Sequence, residues 1–359
     1  EYSAVKKMIR SYQAMEQMPA FADVVVTSSA VNTGNSALIK RLYQLSIIDS
    51  VPAQISVTTL RNKIRDVQRL FNLVEDGLLR TAVLKELNVP LRVRISELKI
   101  TLNTIRWLNC IKSAGSVIVV NIPSASLLVY ENGEVILESR VIVGKKTTRT
   151  PTLTSKVTEV VLYPYWMVPK SIATKELLPL IKKNPGYLNL NNMQVLDARG
   201  KVMNPADIDW NALSTNYFPY VLRQSTGCDN SLGLVKLNFY NPYNVYLHDT
   251  PWKVLFAANK RYFSHGCMRV EKAIELAHLL LEGNTMAVDS LEEKGCLINQ
   301  SPVAVPASLQ MPVFVLYNTA WIDSSANVSF DEDIYNRFQH LRKKPGALTN
   351  VAQIDDRSH

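Results

Sequence analysis

Apolar residues repeat with two different periods along the chain, and the change falls near residue 116. Before that point they recur every three or four residues, as on one face of a helix. Val5, Ile9 and Tyr12 have this spacing, which predicts an amphipathic helix from Tyr2 to about Phe21. The same pattern predicts further helices at 37–45, 58–71, 78–87 and 97–108.

After residue 116, continuous and alternating apolar runs replace the helical pattern and predict β-strands. The pair Asn132 and Gly133 predicts a hairpin turn between two of these strands. Strands are predicted at 116–123, 126–130, 135–143, 157–163, 233–240, 244–248 and 313–317. Helices are predicted at 270–281 and, after a Pro-bearing linker at 301–306, around 331–341.

These patterns predict an α+β protein that combines a β-rich domain with a small helical domain. Residues 170–222 interrupt the strands with helical, Pro-Gly and Asn-rich stretches, which indicates an insertion in the β-rich domain. The predicted division is an N-terminal helical scaffold segment (1–31), a helical domain (32–91), a connecting helix (92–112), the β-rich domain (113–300) and a C-terminal scaffold tail (301–359).

Composition narrows the class of protein. The chain has 359 residues, 47% of them hydrophobic and 20% charged, which excludes disordered and fibrous proteins. No apolar run approaches the ~18 to 20 residues of a membrane span, so we expect membrane association only through a segment that precedes this sequence. The formal net charge of +9 lies mostly in residues 1–112. A basic surface suits nucleic acid, anionic lipid or an anionic cell-wall polymer, or is merely solvated, and charge alone does not choose.

The most informative motif is Ser264-His265-Gly266-Cys267-Met268-Arg269. It lies between a strand-rich region and a helix, where a helix N-terminus and nearby cations, Arg269 and Arg261, favour a thiolate. A thiolate that attacks a carbonyl also needs a base and donors for the oxyanion. His248 and His265 are the candidate bases, and the backbone N–H groups of Gly266 and Cys267 are the candidate donors.

The motif, with His248 placed 19 residues before Cys267, resembles the YkuD-type L,D-transpeptidases and, among them, the large YcbB-type enzymes. The similarity covers roughly residues 40 to 340 and includes Tyr165-Trp166-Met167-Val168-Pro169 and Asn241-Pro242-Tyr243. Residues 67–90, with Asp76-Gly77 at a turn, resemble a helical peptidoglycan-binding domain. A generic helical bundle is the alternative for that domain.

The resemblance implies a role for each candidate residue. Cys267 would be the nucleophile and His248 the base, held by a backbone carbonyl that we expect to be that of Asp249. His265 and Gly266 would shape the oxyanion site, and Tyr246 would contact substrate or only pack. Substrate carboxylates would be received by cationic side chains, of which Lys236 could equally be structural: Arg269, Arg261, Arg223 and Lys236. Further substrate contacts are expected from Asn230, Thr250 and Ser264.

The resemblance also implies the reaction. Cys267 would attack a peptidoglycan tetrapeptide stem at its third residue, expel D-alanine and form a thioester, which the amine of a second stem resolves into a 3→3 cross-link. The implied partners are these stem peptides and, as covalent inhibitors, β-lactams of the carbapenem type. Nucleic acid, metal and organic cofactors are not expected, and the periplasm of a Gram-negative bacterium is the expected location. The alternatives are an L,D-carboxypeptidase, another acceptor and a non-catalytic wall-binding scaffold.

Two features stay open at this stage. Cys228 could be incidental, could form a disulfide with Cys267, or could join His248 and His265 in a zinc site, whereas Cys110 and Cys296 are bystanders or a pair. Residues 170–222 are expected to form a mobile cap over Cys267, because they combine several lysines with aromatic rings that could cover a peptide. A rigid decoration on the core is the alternative.

Overall fold

The computed structural model describes residues 1–17, 23–25, 34–112, 115–282, 291, 296–297 and 300–342. The last part of the predicted N-terminal segment (26–31) and the end of the predicted tail (343–359) lie outside the described residues. The chain divides into two units. One unit comprises Glu1–Ile111 together with Tyr317–His359, and the other comprises Lys112–Leu316.

The helices and strands are numbered in chain order. The helices are α1 (Tyr2–Glu16), α2 (Ser36–Gln44), α3 (Val57–Leu70), α4 (Thr81–Leu87), α5 (Leu91–Lys112), α6 (Lys170–Ile172), α7 (Leu178–Lys183), α8 (Tyr187–Leu190), α9 (Ala273–Leu280) and α10 (Gln339–Arg342). The strands are β1 (Val117–Asn121), β2 (Ser126–Glu131), β3 (Glu134–Gly144), β4 (Leu153–Leu162), β5 (Trp166–Met167), β6 (Met193–Leu196), β7 (Val202–Met203), β8 (Val221–Gln224), β9 (Val235–Phe239), β10 (Leu247–His248), β11 (Tyr262–Ser264), β12 (Met268–Val270), β13 (Val303–Pro306), β14 (Pro312–Leu316), β15 (Ala320–Ile322) and β16 (Val328–Phe330). None of the described helices is both long and apolar enough to cross a membrane.

The first unit is helical and has one hydrophobic core. Helix α2 begins where Asn35 Oδ1 accepts a hydrogen bond from the backbone N–H of Leu38 at 3.0 Å, and Ser56 caps α3 in the same way. The core takes residues from α1 to α5 and also from the tail strands β15 and β16, of which Phe330 is almost wholly buried. The predicted helical domain at 32–91 therefore shares its core with the predicted scaffold segments instead of having one of its own.

Two helix predictions in this unit need correction. The helical pattern predicted at 97–108 is only the middle of a longer helix, Leu91–Lys112, which begins directly after Pro90 and agrees with the connecting helix predicted at 92–112. The helix predicted around 331–341 is reduced to α10. Asp333 explains this difference, since its carboxylate accepts hydrogen bonds from the backbone N–H groups of Arg337 and Phe338 and so holds a turn.

The second unit is built on β-strands that pair in the order β11-β3-β12-β10-β9-β4-β14-β1-β2. Strand β3 also pairs with β2, so the path closes on itself, and β13 adds to β4. The long strands β3 and β4 each pair with different neighbours along their two halves. Strands β13 and β14 belong to this sheet, so the predicted domain boundary at 300 precedes two of its strands.

Residues 166–224 form a second, smaller sheet in this unit, with the order β5-β8-β6-β7. We call these residues the inserted segment. Its hydrophobic core includes Leu177, Ile181, Trp210 and Phe218. Phe218 was expected to offer its ring to a peptide, but it is buried in this core. The inserted segment is thus a packed layer and not a long irregular loop.

Candidate active site

The centre of the site is a row of three side chains on adjacent strands. His248 on β10 lies opposite Lys236 on β9 and opposite Arg269 on β12. Because paired positions in a sheet place their side chains on the same face, one histidine is flanked by two cations. Burial lowers the pKa of His248 to about 3, and the charges of Arg269 and Lys236 act in the same direction. His248 is therefore a neutral imidazole near neutral pH.

The tautomer of His248 follows from its backbone contact. Its Nδ1 lies 2.5 Å from the carbonyl oxygen of Asp249, and a carbonyl only accepts, so Nδ1 carries the proton. Nε2 is then the ring nitrogen that carries the lone pair. Asp249 uses its carboxylate elsewhere, since Oδ2 accepts from the Leu234 N–H at 3.0 Å and Oδ1 lies 2.6 Å from Lys253 Nζ. The expected carbonyl support of the base is present in the structure.

Cys267 is held by the loop between β11 and β12. Ser264 Oγ donates to the Cys267 carbonyl at 2.6 Å and accepts from the Gly266 N–H at 3.1 Å, while Thr150 Oγ1 donates to the Gly266 carbonyl at 2.8 Å. Gly266 has φ of 120°, a left-handed conformation that favours glycine. Its N–H was predicted to serve the oxyanion, but in this structure it donates to Ser264. Ser264 therefore positions the loop.

The Cys267 thiol is in a mixed electrostatic environment. Burial raises the pKa of Cys267, while hydrogen bonds from Tyr246 and the charges of Lys236 and Arg269 lower it. Burial prevails, so the thiol is neutral at rest and must lose its proton before it can attack. The Tyr246 ring lies 5.6 Å from the His248 ring between centroids, next to the nucleophile.

The two cations of the row rest on aromatic rings. Lys236 Nζ lies 4.3 Å from the centre of the Tyr246 ring, and the Arg269 guanidinium carbon lies 5.3 Å from that of Trp252. Burial lowers the pKa of Lys236 and also that of Arg269. Rings can hold such cations without neutralising them. Arg269 lines the cavity at Cys267, as a carboxylate-binding residue would, whereas Lys236 lies behind Tyr246 and away from the cavity lining.

A cavity of about 810 Å³ opens in front of Cys267. One wall comes from the main sheet and its loops, which contribute Tyr246, His248, His265 and Arg269. The opposite wall comes from the inserted segment and from the loop that follows β8. Its lining residues include Ile172, Glu176, Leu177, Tyr187, Asn191, Met193 and Asp229.

A direct contact joins the two walls. His265 Nε2 lies 2.7 Å from Glu176 Oε1, with 30% of the histidine side chain and 51% of the glutamate side chain exposed. His265 was predicted to serve the oxyanion side, and here its Nε2 is engaged with the inserted segment. The sequence analysis missed Glu176, because nothing in its local pattern distinguishes it from a solvated helix residue.

Three predicted substrate-binding residues are structural. Arg261 is buried and donates to several backbone carbonyls, among them those of Val141 and Ala125. Asn230 is fully buried and donates to the carbonyls of neighbouring segments. Thr250 is also fully buried. None of the three lines the cavity. Their polar groups were correctly placed near the motif, but their partners are backbone groups and not a ligand.

Arg223 lies within the inserted segment. Its guanidinium stacks on Tyr165 at 4.4 Å and donates to Gln194 Oε1, so it braces β8 against β6. It does not line the cavity. Lys182 of the same segment donates to the Leu213 carbonyl at 2.8 Å and so stabilises the segment. The cationic face expected here is therefore partly used in internal contacts.

The structure also resolves the question of the cysteines. Cys228 forms a disulfide with Cys296, with Cα atoms 4.5 Å apart, while neither Cys267 nor the exposed Cys110 takes part in a disulfide. The alternatives of a Cys228–Cys267 bond, a zinc site with Cys228 and a Cys110–Cys296 pair are thus wrong. Nearby, Thr226 Oγ1 accepts from the Gln300 N–H at 3.0 Å. The loop beside the cavity is therefore tied to the segment that leads to β13.

Comparison with known proteins gives one family and one curated relative. Residues 115–289 match the family model of the L,D-transpeptidase catalytic domain, YkuD. A protein of Haemophilus influenzae, whose name places it among the L,D-transpeptidases, is 41% identical over 218 residues, which is 61% of this chain. The matched region is 44% of that relative's length, so the chain spans less than half of it.

The solved structures to which the chain is similar, which are L,D-transpeptidases, are more distant in sequence. An L,D-transpeptidase from Mycobacterium smegmatis is 14% identical with a TM-score of 0.27, covering 56% of this chain and 58% of that one. The catalytic domain of an Enterococcus faecium L,D-transpeptidase acylated by ertapenem is 13% identical with a TM-score of 0.26, covering 56% and 97%. Because these scores are low, the assignment rests on the family model and on the sequence relative. The matched residues 115–289 include His248 and Cys267, so both lie in the part of the chain that is similar to the L,D-transpeptidase catalytic domain, YkuD.

Proposed function

We propose that this protein forms 3→3 cross-links in peptidoglycan through a thioester on Cys267. The observation that carries the proposal is the arrangement around His248, whose Nδ1–H is held by the Asp249 carbonyl and whose neighbours in the sheet are Lys236 and Arg269. His248 and Cys267 line the same cavity, so a neutral imidazole and a thiol that two cations help to ionise share one site. The wider subfamily resemblance to YcbB-type enzymes is part of the same proposal.

The chemistry proceeds in two halves. His248 Nε2 accepts the proton of the Cys267 thiol as sulfur attacks the carbonyl of the third stem residue. The C–N bond to D-alanine then breaks, and the leaving amine takes the proton back from His248, which leaves a thioester. In the second half, the amine of another stem attacks the thioester carbonyl, an amide forms, the C–S bond breaks, and the proton lost by nitrogen returns the thiol.

Arg269 is the residue best placed to receive a carboxylate of the donor stem. It lines the cavity with Cys267, and its charge is stacked on Trp252 without an ion-pair partner in the described part of the chain. Tyr246 lines the same wall and would contact the donor near the thiol. A carbapenem would acylate Cys267 as a mimic of this donor, and no metal or organic cofactor takes part in the proposed steps.

We also propose that the inserted segment caps the donor and favours amine over water as acceptor. Its residues face Cys267 across the cavity, and a covered thioester would be shielded from hydrolysis. Hydrogen exchange across 170–222 should slow when a carbapenem is attached to Cys267. If exchange is already slow in the free enzyme and does not change on acylation, the segment is a rigid layer.

The Gram-negative periplasm is the location that fits this substrate, and the Cys228–Cys296 disulfide is typical of an oxidising compartment. The helical residues 32–91, in the basic part of the chain, would serve retention on the wall. Deleting part of a shared core would disturb folding, so this role is better tested by exchanging exposed cations for glutamine. Weaker retention on insoluble peptidoglycan, with unchanged acylation by a soluble carbapenem, would support it.

The decisive experiment is incubation with purified muropeptides followed by mass spectrometry. Cross-linked dimers would support the transpeptidase, tripeptides alone would identify an L,D-carboxypeptidase, and unchanged tetrapeptides would favour a scaffold. Cys267→Ala should abolish both the products and the single covalent mass added by a carbapenem. Cys110→Ala is the matched control, because it removes the other free thiol. Turnover that survives in Cys267→Ala would overturn the mechanism.

A further inference from the structure

Glu176 occupies a rare local structure in the inserted segment. Residues Ala173–Leu177 form a turn of π-helix between α6 and α7. Pro179 follows in the first turn of α7, and its lack of an N–H removes the ordinary helical bond to the Lys175 carbonyl. A widened turn accommodates this proline, and such turns occur frequently at functional sites. Ala173 and Leu177 belong to the segment's core, and Leu177 and Glu176 line the cavity.

The charges of the cavity are separated between its two walls. Arg269 supplies a cation on the sheet wall, beside the base. Glu176 and Asp229 supply carboxylates on the opposite wall, and Asp229 Oδ2 is occupied by the Asn192 side-chain amide at 2.8 Å. Within the described ranges the Glu176 carboxylate contacts His265 through Oε1. Half of the Glu176 side chain remains exposed, and the residue lines the cavity.

This polarity matches the charges of the two substrates in the proposed reaction. The donor stem brings carboxylates, which suit Arg269. The acceptor brings a primary amine that is an ammonium ion at neutral pH, since alkyl ammonium groups lose their proton near pH ~10. A half-exposed carboxylate near the thioester can orient that ammonium through a charge-assisted hydrogen bond.

We propose that Glu176 recognises the acceptor, binding its ammonium group on the wall opposite the donor. His265 fixes the carboxylate through Oε1, so that Oε2 remains available to the incoming amine. His265 lies two residues from Cys267 in the chain. Its contact with Glu176 therefore also fixes the position of Glu176 relative to the nucleophile. This inference rests on the proposed transpeptidase function and names a specificity residue within it.

The test compares Glu176→Gln with the wild-type enzyme in three assays. Carbapenem acylation of Cys267 should stay within about 2-fold, because Glu176 does not touch the base. The KM for an acceptor stem that carries a free amine should rise about 10-fold or more, as for loss of one charge-assisted hydrogen bond. Cleavage of the acyl-enzyme by hydroxylamine, an uncharged nucleophile at neutral pH, should be unchanged. Glu275→Gln, at an exposed position of α9, is the matched control.

The outcomes separate the possible failures. A wild-type enzyme that forms no acyl-enzyme, or transfers to no amine, would overturn the proposed function itself. A wild-type enzyme that transfers while Glu176→Gln keeps its acceptor KM would overturn only this inference. Equal losses in acylation, amine transfer and hydroxylamine cleavage would show that Glu176 merely supports the loop. Glu176→Lys should impair amine transfer further than Glu176→Gln, through repulsion of the ammonium.

Discussion

The two walls of the cavity are constructed in different ways. The sheet wall places His248, Lys236 and Arg269 on three paired strands, with the base fully packed and the cations resting on rings. The wall of the inserted segment presents a half-exposed glutamate from an irregular helical turn. Side chains on paired strands are fixed by many backbone bonds, whereas a segment with its own small core can move as a layer. The first wall suits bond making, and the second suits selection of the substrate.

Removal of the base should have the largest effect. His248→Ala should lower the rate of carbapenem acylation by about 10²-fold or more, as removal of a general base usually does. Rapid mixing followed by mass spectrometry of the protein measures this rate. His278→Ala, on α9, controls for loss of an imidazole elsewhere. If only the rate of transfer to the acceptor decreases, His248 acts in the second half-reaction. The assignment of acylation to the sheet wall would then be wrong.

The disulfide joins the loop next to the segment wall to the segment leading to β13. The double variant Cys228→Ser/Cys296→Ser should lower the free energy of unfolding by about 3 kcal/mol, because it releases a long closed loop in the unfolded chain. Urea unfolding in oxidising buffer measures the change, with Cys110→Ser as control. If stability is unchanged while acceptor transfer falls, the bridge serves the cavity and not the fold.

Because of His248 on the sheet wall, the free energy of unfolding should depend on pH. The pKa of His248 is lowered to about 3 in the folded protein, from an ordinary value of about 6.5. Below pH 6.5 the imidazole of His248 is protonated in the unfolded chain but stays neutral in the folded protein. The free energy of unfolding therefore decreases as the pH falls from 6.5 toward 3.

Between pH 7.5 and 5.0 this single group should cost about 2 kcal/mol of unfolding free energy. The loss should therefore be smaller by that amount in His248→Gln than in the wild type, whereas His278→Gln should follow the wild type. Denaturant titrations at the two pH values provide the comparison. Equal losses in all three proteins would mean that His248 is not buried as a neutral base.

The smallest predicted effect is on the pKa of Cys267 and comes from Lys236, which lies behind Tyr246. Lys236→Met should raise the pKa of Cys267, because one of the charges that favour the thiolate is removed. The pH dependence of Cys267 alkylation by iodoacetamide reports this pKa directly, and Lys156→Met controls for loss of a surface charge. A lower pKa of Cys267 in Lys236→Met would contradict the proposal that Lys236 favours the thiolate.

The chemistry of the sheet wall was largely predictable from the sequence. Cys267 and His248 stand in a compact motif, and the carbonyl support by Asp249 is local, one residue along the chain. The row itself was not predictable, because Lys236, His248 and Arg269 are brought together by a register among three strands that no local pattern specifies. The sequence also suggested substrate roles for Arg261 and Asn230. Their side-chain N–H groups instead donate hydrogen bonds to backbone carbonyls.

The segment wall was predictable only as an insertion. Its position between strands was visible in the pattern, but the pairing of β5 with β8 and the contact of Glu176 with His265 are long-range events. The same holds for β13 and β14, which follow a gap in the apolar pattern and return to the main sheet. Interactions between distant parts of a chain depend on the whole fold, which is why a linear motif does not reveal them.

The position of the disulfide has a consequence for how the enzyme matures. Cys267 lies between Cys228 and Cys296 in the chain, so the disulfide joins two cysteines that are not consecutive. The proposed nucleophile, Cys267, must stay reduced. A chain translocated from its N-terminus presents Cys228 and Cys267 to an oxidase before Cys296 has arrived. A bond between those first two would trap the nucleophile until thiol exchange releases it. In the oxidising compartment proposed for this protein, full activity would therefore require disulfide isomerisation of any chain that formed such a bond, and this requirement arises from the order of the cysteines along the chain.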